Sequence, residues 1–241
     1  LSKVRIKGHI EDYNGALLSN WNGILTPTIF DKRKTQNTLG QDEASPIIAY
    51  EQQTNRIYRG QSSINNGYFD FEFVVPKDIA LQIDFGKISY YGHNGQTDAQ
   101  GFDTLFYVGG IDPNGVADDQ GPAIDLYMNQ EGFVNGSVTD ENPVLLAKVA
   151  DANGINTVGN GIGHDIVAVL DGQTAQPIVL NDFYAASLDS YQAGEVRYQF
   201  QNLSPGPHTL LLKVWDVNNN SSTSQIDFVV QSKEAPVLQH V

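Results

Sequence analysis

Few side chains in this sequence are of a type and spacing that could do chemistry. His164 and Asp165 follow Gly161-Ile162-Gly163, and an imidazole oriented by a carboxylate is a common general base. Two features argue against that role. Neighbouring residues on a strand point to opposite faces, so Asp165 would not orient His164. The chain also has no cysteine, and no serine stands in a G-x-S-x-G elbow of the kind that exposes a nucleophile. No catalytic residue is assigned. Asp112, Asn114, Asp118 and Asp119, with Asp125 nearby, offer the hard oxygens that calcium gathers. Their spacing is not that of an EF-hand loop, and the competing reading is a solvated linker of turn formers. No cofactor is assigned, and calcium at these four positions is the one candidate. Asp140 and Glu141 with Asp151 form a second acidic group of the same chemistry. Trp21, Tyr90, Tyr91, His93 and Tyr107 could stack on a sugar face, although aromatic residues at strand positions are more often core.

These residues must be positioned by strands. Val4, Ile6 and Ile10 alternate with polar residues and lead into Asp12-Tyr13-Asn14-Gly15, a strand ended by a turn. A second strand runs from Trp21 through Pro27 to Phe30, and the polar stretch 31–46 reads as an exposed loop. Ile47–Tyr50 and Ile57–Tyr58 are short strands. Phe69, Phe71, Phe73 and Val75 alternate up to Pro76, with Asp70 and Glu72 on the other face. Ile79, Leu81, Ile83 and Phe85 alternate in the same way, and Lys87–Tyr91 and Phe102–Val108 follow. After the Gly/Pro/Asp-rich segment the pattern restarts: Ile124 to Met128, Leu145 to Val149, Ile166 to Leu170, Ile178 to Leu180, Val196 to Phe200, Leu210 to Trp215 and Ile226 to Val230. No stretch keeps a helical period.

The halves match weakly. Ile10-x-Asp12-x-Asn14-Gly15 corresponds to Val149-x-Asp151-x-Asn153-Gly154, and Lys87–Tyr91 to Lys213–Val217. Ordered matches of this kind favour a duplicated unit. The fold expected is all-β: two tandem antiparallel β-sandwich domains, immunoglobulin- or fibronectin III-like. They are placed at residues 1–110 and 123–232, joined by an acidic Gly/Pro linker at 111–122 and followed by a connector at 233–241.

Composition narrows the function. The 241 residues carry 28 acidic and 14 basic side chains, a formal net charge of -14, and 40% are hydrophobic. That content supports packed cores. The charge argues against nucleic acid, which would need a basic patch, and against adsorption to anionic lipid. No run is long and apolar enough to insert in a membrane. The opening, LSKVRIKGHI, is a strand pattern rather than a signal peptide, as expected for a chain that begins inside a longer protein.

The segments TDENPVLLAKVADANGINTVGNGIGHDIVAVLDG, PIVLNDFY and HTLLLKVWDVNNNSS, with NGILTPTIFDKRKTQNTLG, FEFVVPKDI and FGKISYYG, resemble the region after the peptidase domain in PorU-type sortases. These are gingipain-like cysteine peptidases of the C25 family that serve the Bacteroidota type IX secretion system. The resemblance implies a non-catalytic scaffold or spacer of a cell-surface protein that, as a whole, removes C-terminal secretion signals and attaches cargo at the outer membrane. It implies the barrel protein PorV and other attachment-complex components as partners. The family's Cys–His pair cannot be carried over, since there is no cysteine and His164 lies outside the peptidase motif. The insertion NTVGNGIGHD, with Asn160, His164 and Asp165, reads as a partner-contact loop. The alternative is an adhesion or carbohydrate-binding module of a surface protein.

Overall fold

The computed structural model describes residues 1–42, 44–115, 117–158 and 163–231. The chain is all-β and its sheets are antiparallel but for one short parallel pair, as the alternation predicts. The first unit holds β1 (Lys3–His9), β2 (Gly23–Phe30), β3 (Lys34–Asn37), β4 (Ala49–Gln52), β5 (Arg56–Arg59), β6 (Ser62–Asn65), β7 (Tyr68–Val74), β8 (Asp84–Phe85), β9 (Lys87–His93), β10 (Asp98–Asp103) and β11 (Tyr107–Val108). The second holds β12 (Ala123–Met128), β13 (Val138–Thr139), β14 (Val144–Ala150), β15 (Val167–Leu170), β16 (Ile178–Val179), β17 (Tyr184–Ala186), β18 (Ala193–Gln199), β19 (Gly206–Trp215) and β20 (Ser221–Val230). Among the described residues a single 3-10 turn, Asn181–Phe183, precedes β17.

The second unit is a sandwich of two sheets, β12-β14-β18-β17 and β13-β20-β19-β15-β16. In immunoglobulin lettering these are A-B-E-D and A′-G-F-C-C′. Leu145, Ala147 and Val196 from the first sheet meet Leu210, Leu212, Ile226 and Phe228 from the second in one buried core. In the first unit the order is β1-β7-β6-β2-β9-β10, with β5 beside β2. Here β6 pairs with both β2 and β7, so the two layers are hydrogen-bonded into one curled sheet around Leu25, Ile29, Phe71, Phe73 and Ile88. Pro27 sits inside β2 because its nitrogen faces the gap between β5 and β6, where Gly60 N–H donates to the Pro27 carbonyl. A strand proline is tolerated where no ladder bond is lost.

The duplication is visible in the register. Aligning Asp12 with Asp151 sets Ile6 on Leu145 and Gly8 on Ala147. Gly8 lies opposite Phe69, and Ala147 opposite Val196, on corresponding strands. Gly8 has no Cβ because one would fall 2.2 Å from the Phe69 ring.

Two segments differ from the sequence expectation. The stretch after Phe30 is not wholly an exposed loop: Asp31 and Lys32 are buried as an ion pair, and β3 and β4 form an exposed ribbon. The segment 79–83 alternates yet is not a strand, and Leu81 and Ile83 are 60% and 65% exposed. Lys32 Nζ donates to the Ala80 carbonyl, Asp31 accepts the Ala80 N–H, and Gly110 N–H caps Leu81. Those bonds hold Ala80 and Leu81 in place without a neighbouring strand.

Candidate functional site at the junction of the two units

The residues with the most unusual environments lie where the two units meet. At one end Ser63 donates its N–H and Oγ–H to Asp189, and Gln61 bridges to Leu188. Arg56 is paired there with Asp182. At the other end Asp78, just past β7, is the shared acceptor. Its carboxylate takes Asn156 Nδ2–H and Asn219 Nδ2–H, each at 2.8 Å, and meets His164 Nδ1 at 2.8 Å. Beside it Lys77 donates its N–H to the Val217 carbonyl and its Nζ–H to that of Asn218.

His164 therefore has a carboxylate partner, but it is Asp78 from the other unit and not the adjacent Asp165. The imidazole also packs on Trp215, with centroids 4.4 Å apart. Asp165 is half-buried. Asn160 lies outside the described residues. A carboxylate–histidine pair does chemistry only with a nucleophile or a substrate proton to take. Here the ring is held as part of the junction.

A group of three carboxylates lies at the same junction: Asp118, Asp151 and Asp216, with ligand atoms within 4.8 Å of one another. Each is built by a local turn of the Asx type. Asp151 accepts the N–H groups of Asn153 and Gly154, Asp216 those of Asn218 and Asn220, and Asp118 that of Gln120. Gly154 stands at φ +108, a backbone geometry that favours glycine. Asn153 Nδ2–H reaches Asp118, and Asn220 Nδ2–H reaches Asp216 and the Asp118 carbonyl, which ties the segment before β12 to the second unit.

Charge is the dominant feature of this group. Burial, then the neighbouring carboxylates, holds the Asp151 and Asp216 acids above the usual range. The Gln120 backbone N–H, followed by Asn153, holds Asp118 below it. Like charges this close raise one another's cost of ionisation. Three carboxylates with carbonyls and water are the donor set of a hard divalent cation.

Of the four residues expected to bind calcium, only Asp118 belongs to this group. Asp112 instead accepts Ser2 Oγ–H and the Asn114 N–H, while Asn114 and Asp119 are exposed. Asp151, assigned to a group with Asp140 and Glu141, stands with Asp118 and Asp216. Asp216 was missed, although Asp216-x-Asn218 repeats the Asp-x-Asn signature of positions 12 and 151. The aromatic residues do not share one surface. Tyr90 packs inward on Phe69, Tyr91 turns outward beside His93, and Tyr107 stacks on Phe85.

No protein-family model and no curated protein matches this chain. Among solved structures, dimeric latent PorU from Porphyromonas gingivalis matches over 98% of this chain, at 29% identity and a TM-score of 0.53. The chain resembles PorU. It spans 22% of the PorU chain, so the likeness concerns one region of that protein. BcpA, the major pilin subunit of Bacillus cereus, matches at 9% identity and a TM-score of 0.21, too low to carry an argument. The PorU likeness agrees with the resemblance read from the sequence. With no cysteine in the chain, this PorU-like region lacks the nucleophile of a cysteine peptidase. Among the described residues no helix is long and apolar enough to cross a membrane.

Proposed function

We propose that this chain is a non-catalytic β-sandwich scaffold within a PorU-like surface protein, spacing a peptidase domain from its outer-membrane partner. The observation that carries the reading is the junction. Asp78 joins three side chains of the second unit and Lys77 two of its carbonyls, so the two units are coupled by specific, partly buried bonds. A spacer that sets a distance needs such coupling, because small inter-domain interfaces otherwise permit relative motion. By its likeness to PorU, the whole protein would remove C-terminal secretion signals and attach cargo on the extracellular side of the outer membrane, as a C25 cysteine peptidase outside this region. PorV would be its membrane partner.

In the whole protein, Asp78→Ala should reduce PorV binding and cargo processing while cleavage of a short peptide stays unchanged. Unaltered processing in that variant would reject the scaffold role. Peptide hydrolysis by purified residues 1–241 would reject the non-catalytic one.

The three junction carboxylates favour one addition: calcium held by Asp118, Asp151 and Asp216 would offset their repulsion and stiffen the spacer. A ligand that binds only the folded state raises the melting midpoint. An unchanged midpoint in millimolar calcium would remove this addition.

A further inference from the structure

Asn-Gly recurs along this chain, and one copy is held differently from the rest. An asparagine amide carbon followed by glycine is open to attack by the main chain, because the glycine nitrogen has no flanking Cβ to shield it. A hydrogen bond from that glycine N–H restrains the nitrogen. The Gly15, Gly67, Gly115 and Gly136 N–H groups donate to the carbonyls of Asp12, Trp21, Asp112 and Asp227, and Gly154 N–H donates to the Asp151 carboxylate. At Asn22 the amide is engaged at both ends, by the Asn66 N–H and the Asn20 carbonyl, and Gly23 lies in β2. Asn94-Gly95, in the turn from β9 to β10, is arranged the other way. The Gly95 N–H has no acceptor among the described residues, and no atom lies within 4 Å of where a Gly95 Cβ would stand. Asn94 Oδ1 instead accepts the Gln96 N–H at 2.9 Å, the Thr97 N–H at 2.8 Å and the Thr97 hydroxyl at 3.3 Å. The Asx ring closed by the Gln96 bond keeps Cγ beside the Gly95 nitrogen. The donors face the oxygen that gains charge when that nitrogen attacks. Gly95, Gln96 and Thr97 are exposed, so water reaches the turn.

We propose that Asn94-Gly95 is a self-modification site, a turn that converts its own asparagine to aspartate and isoaspartate. Hydroxide takes the Gly95 N–H proton, the nitrogen bonds to Asn94 Cγ, and the Gln96 and Thr97 N–H groups stabilise the oxyanion on Oδ1. The Cγ–Nδ2 bond then breaks, and ammonia leaves with a proton from water, which restores the hydroxide and gives a succinimide. Water opens that ring at the side-chain carbonyl to give aspartate, or at the main-chain carbonyl to give isoaspartate. The only co-reactant is water. Isoaspartate adds a methylene to the main chain between residues 94 and 95. There the Asn94 N–H closes the hairpin on the Thr97 carbonyl at 3.2 Å, and Thr97 Oγ1 accepts the Trp21 indole N–H at 3.1 Å. The longer turn breaks that register and releases Trp21. This inference rests on the geometry of the turn and not on the scaffold reading.

The test is incubation of the whole chain at mildly alkaline pH, in buffer and in urea, with peptide mapping by mass spectrometry and isoaspartate detection at each Asn-Gly pair. In the folded chain Asn94 should convert at least about tenfold faster than the other described pairs. In urea, where the turn is lost, the pairs should react at similar rates. The native rate should rise with pH, since the Gly95 nitrogen must lose its proton. The NMR signal of the Trp21 indole N–H should shift in step with isoaspartate at position 94. Unmodified Asn94, another described pair matching its rate in the folded chain, or the same order of rates in urea as in buffer would each overturn the proposal. A Trp21 signal unmoved by conversion would overturn the release of Trp21.

Discussion

His208 shows how far a single side chain can be read. It is 8% exposed, and its two ring nitrogens face the Asp171 carboxylate and the Ser204 carbonyl, at 2.8 and 2.7 Å. Both neighbours accept, so both nitrogens donate, which is the imidazolium form. Burial opposes the charge, but the bonds to Ser204 and Asp171 outweigh it and raise the folded pKa above the ordinary 6.5. Its contribution to stability is therefore full below that value and fades as pH rises through the folded pKa. NMR titration of the His208 ring should place its midpoint above 6.5, and His208→Gln should flatten the stability profile between neutral and mildly alkaline pH. The junction acids have the same sign, in a more acidic window. Asp151 and Asp216 have raised pKa values, so the folded state gains from them at low pH and loses that gain as pH rises above the unfolded carboxylate value. Asp151→Asn keeps an oxygen for the Asn153 and Gly154 N–H groups and removes one charge. In calcium-free buffer at pH 7 it should melt higher than the natural chain, and added calcium should reverse the order if the carboxylates take the ion.

Strands follow their alternation where a partner strand and a core are both present. Phe228 in β20 is 1% exposed within the second core, and Phe228→Ala should cost about 3–5 kcal/mol, read from urea unfolding at constant m-value. β7 illustrates the legible case: Phe69, Phe71 and Phe73 point into the core, while Asp70 and Glu72 pair with Lys3 and Arg5 across the outer face. The stretch 79–83 illustrates the opposite. It has the same period, yet Ala80 bonds to Lys32 and Asp31 and the Leu81 carbonyl to Gly110, not to a strand. Alternation records which side chains are apolar, not whether an edge is available to pair with them. Lys32 was similarly illegible, because a charged residue is buried only when partners far along the chain receive it.

The whole molecule depends on a junction of polar bonds rather than a large apolar interface. Asp78→Ala would leave the donors of Asn156 and Asn219 without this acceptor, each worth about 1–3 kcal/mol if left buried and unsatisfied. The expected outcome is a change from one calorimetric transition to two, with the units melting separately; a single transition at an unchanged midpoint would show that Asp78 does not couple them. The all-β class, most strands and the duplication are legible in the residues alone, because these rest on local period and turn chemistry. So is the likeness to PorU. It took the three-dimensional fold to pair His164 with Asp78 rather than Asp165 and to bring Asp118 to Asp151 and Asp216 rather than to Asp112. Asp78 and His164 stand 86 positions apart, and Asp118 and Asn220 102 apart. Contacts at that separation are set by how the two units dock, and no local pattern encodes them.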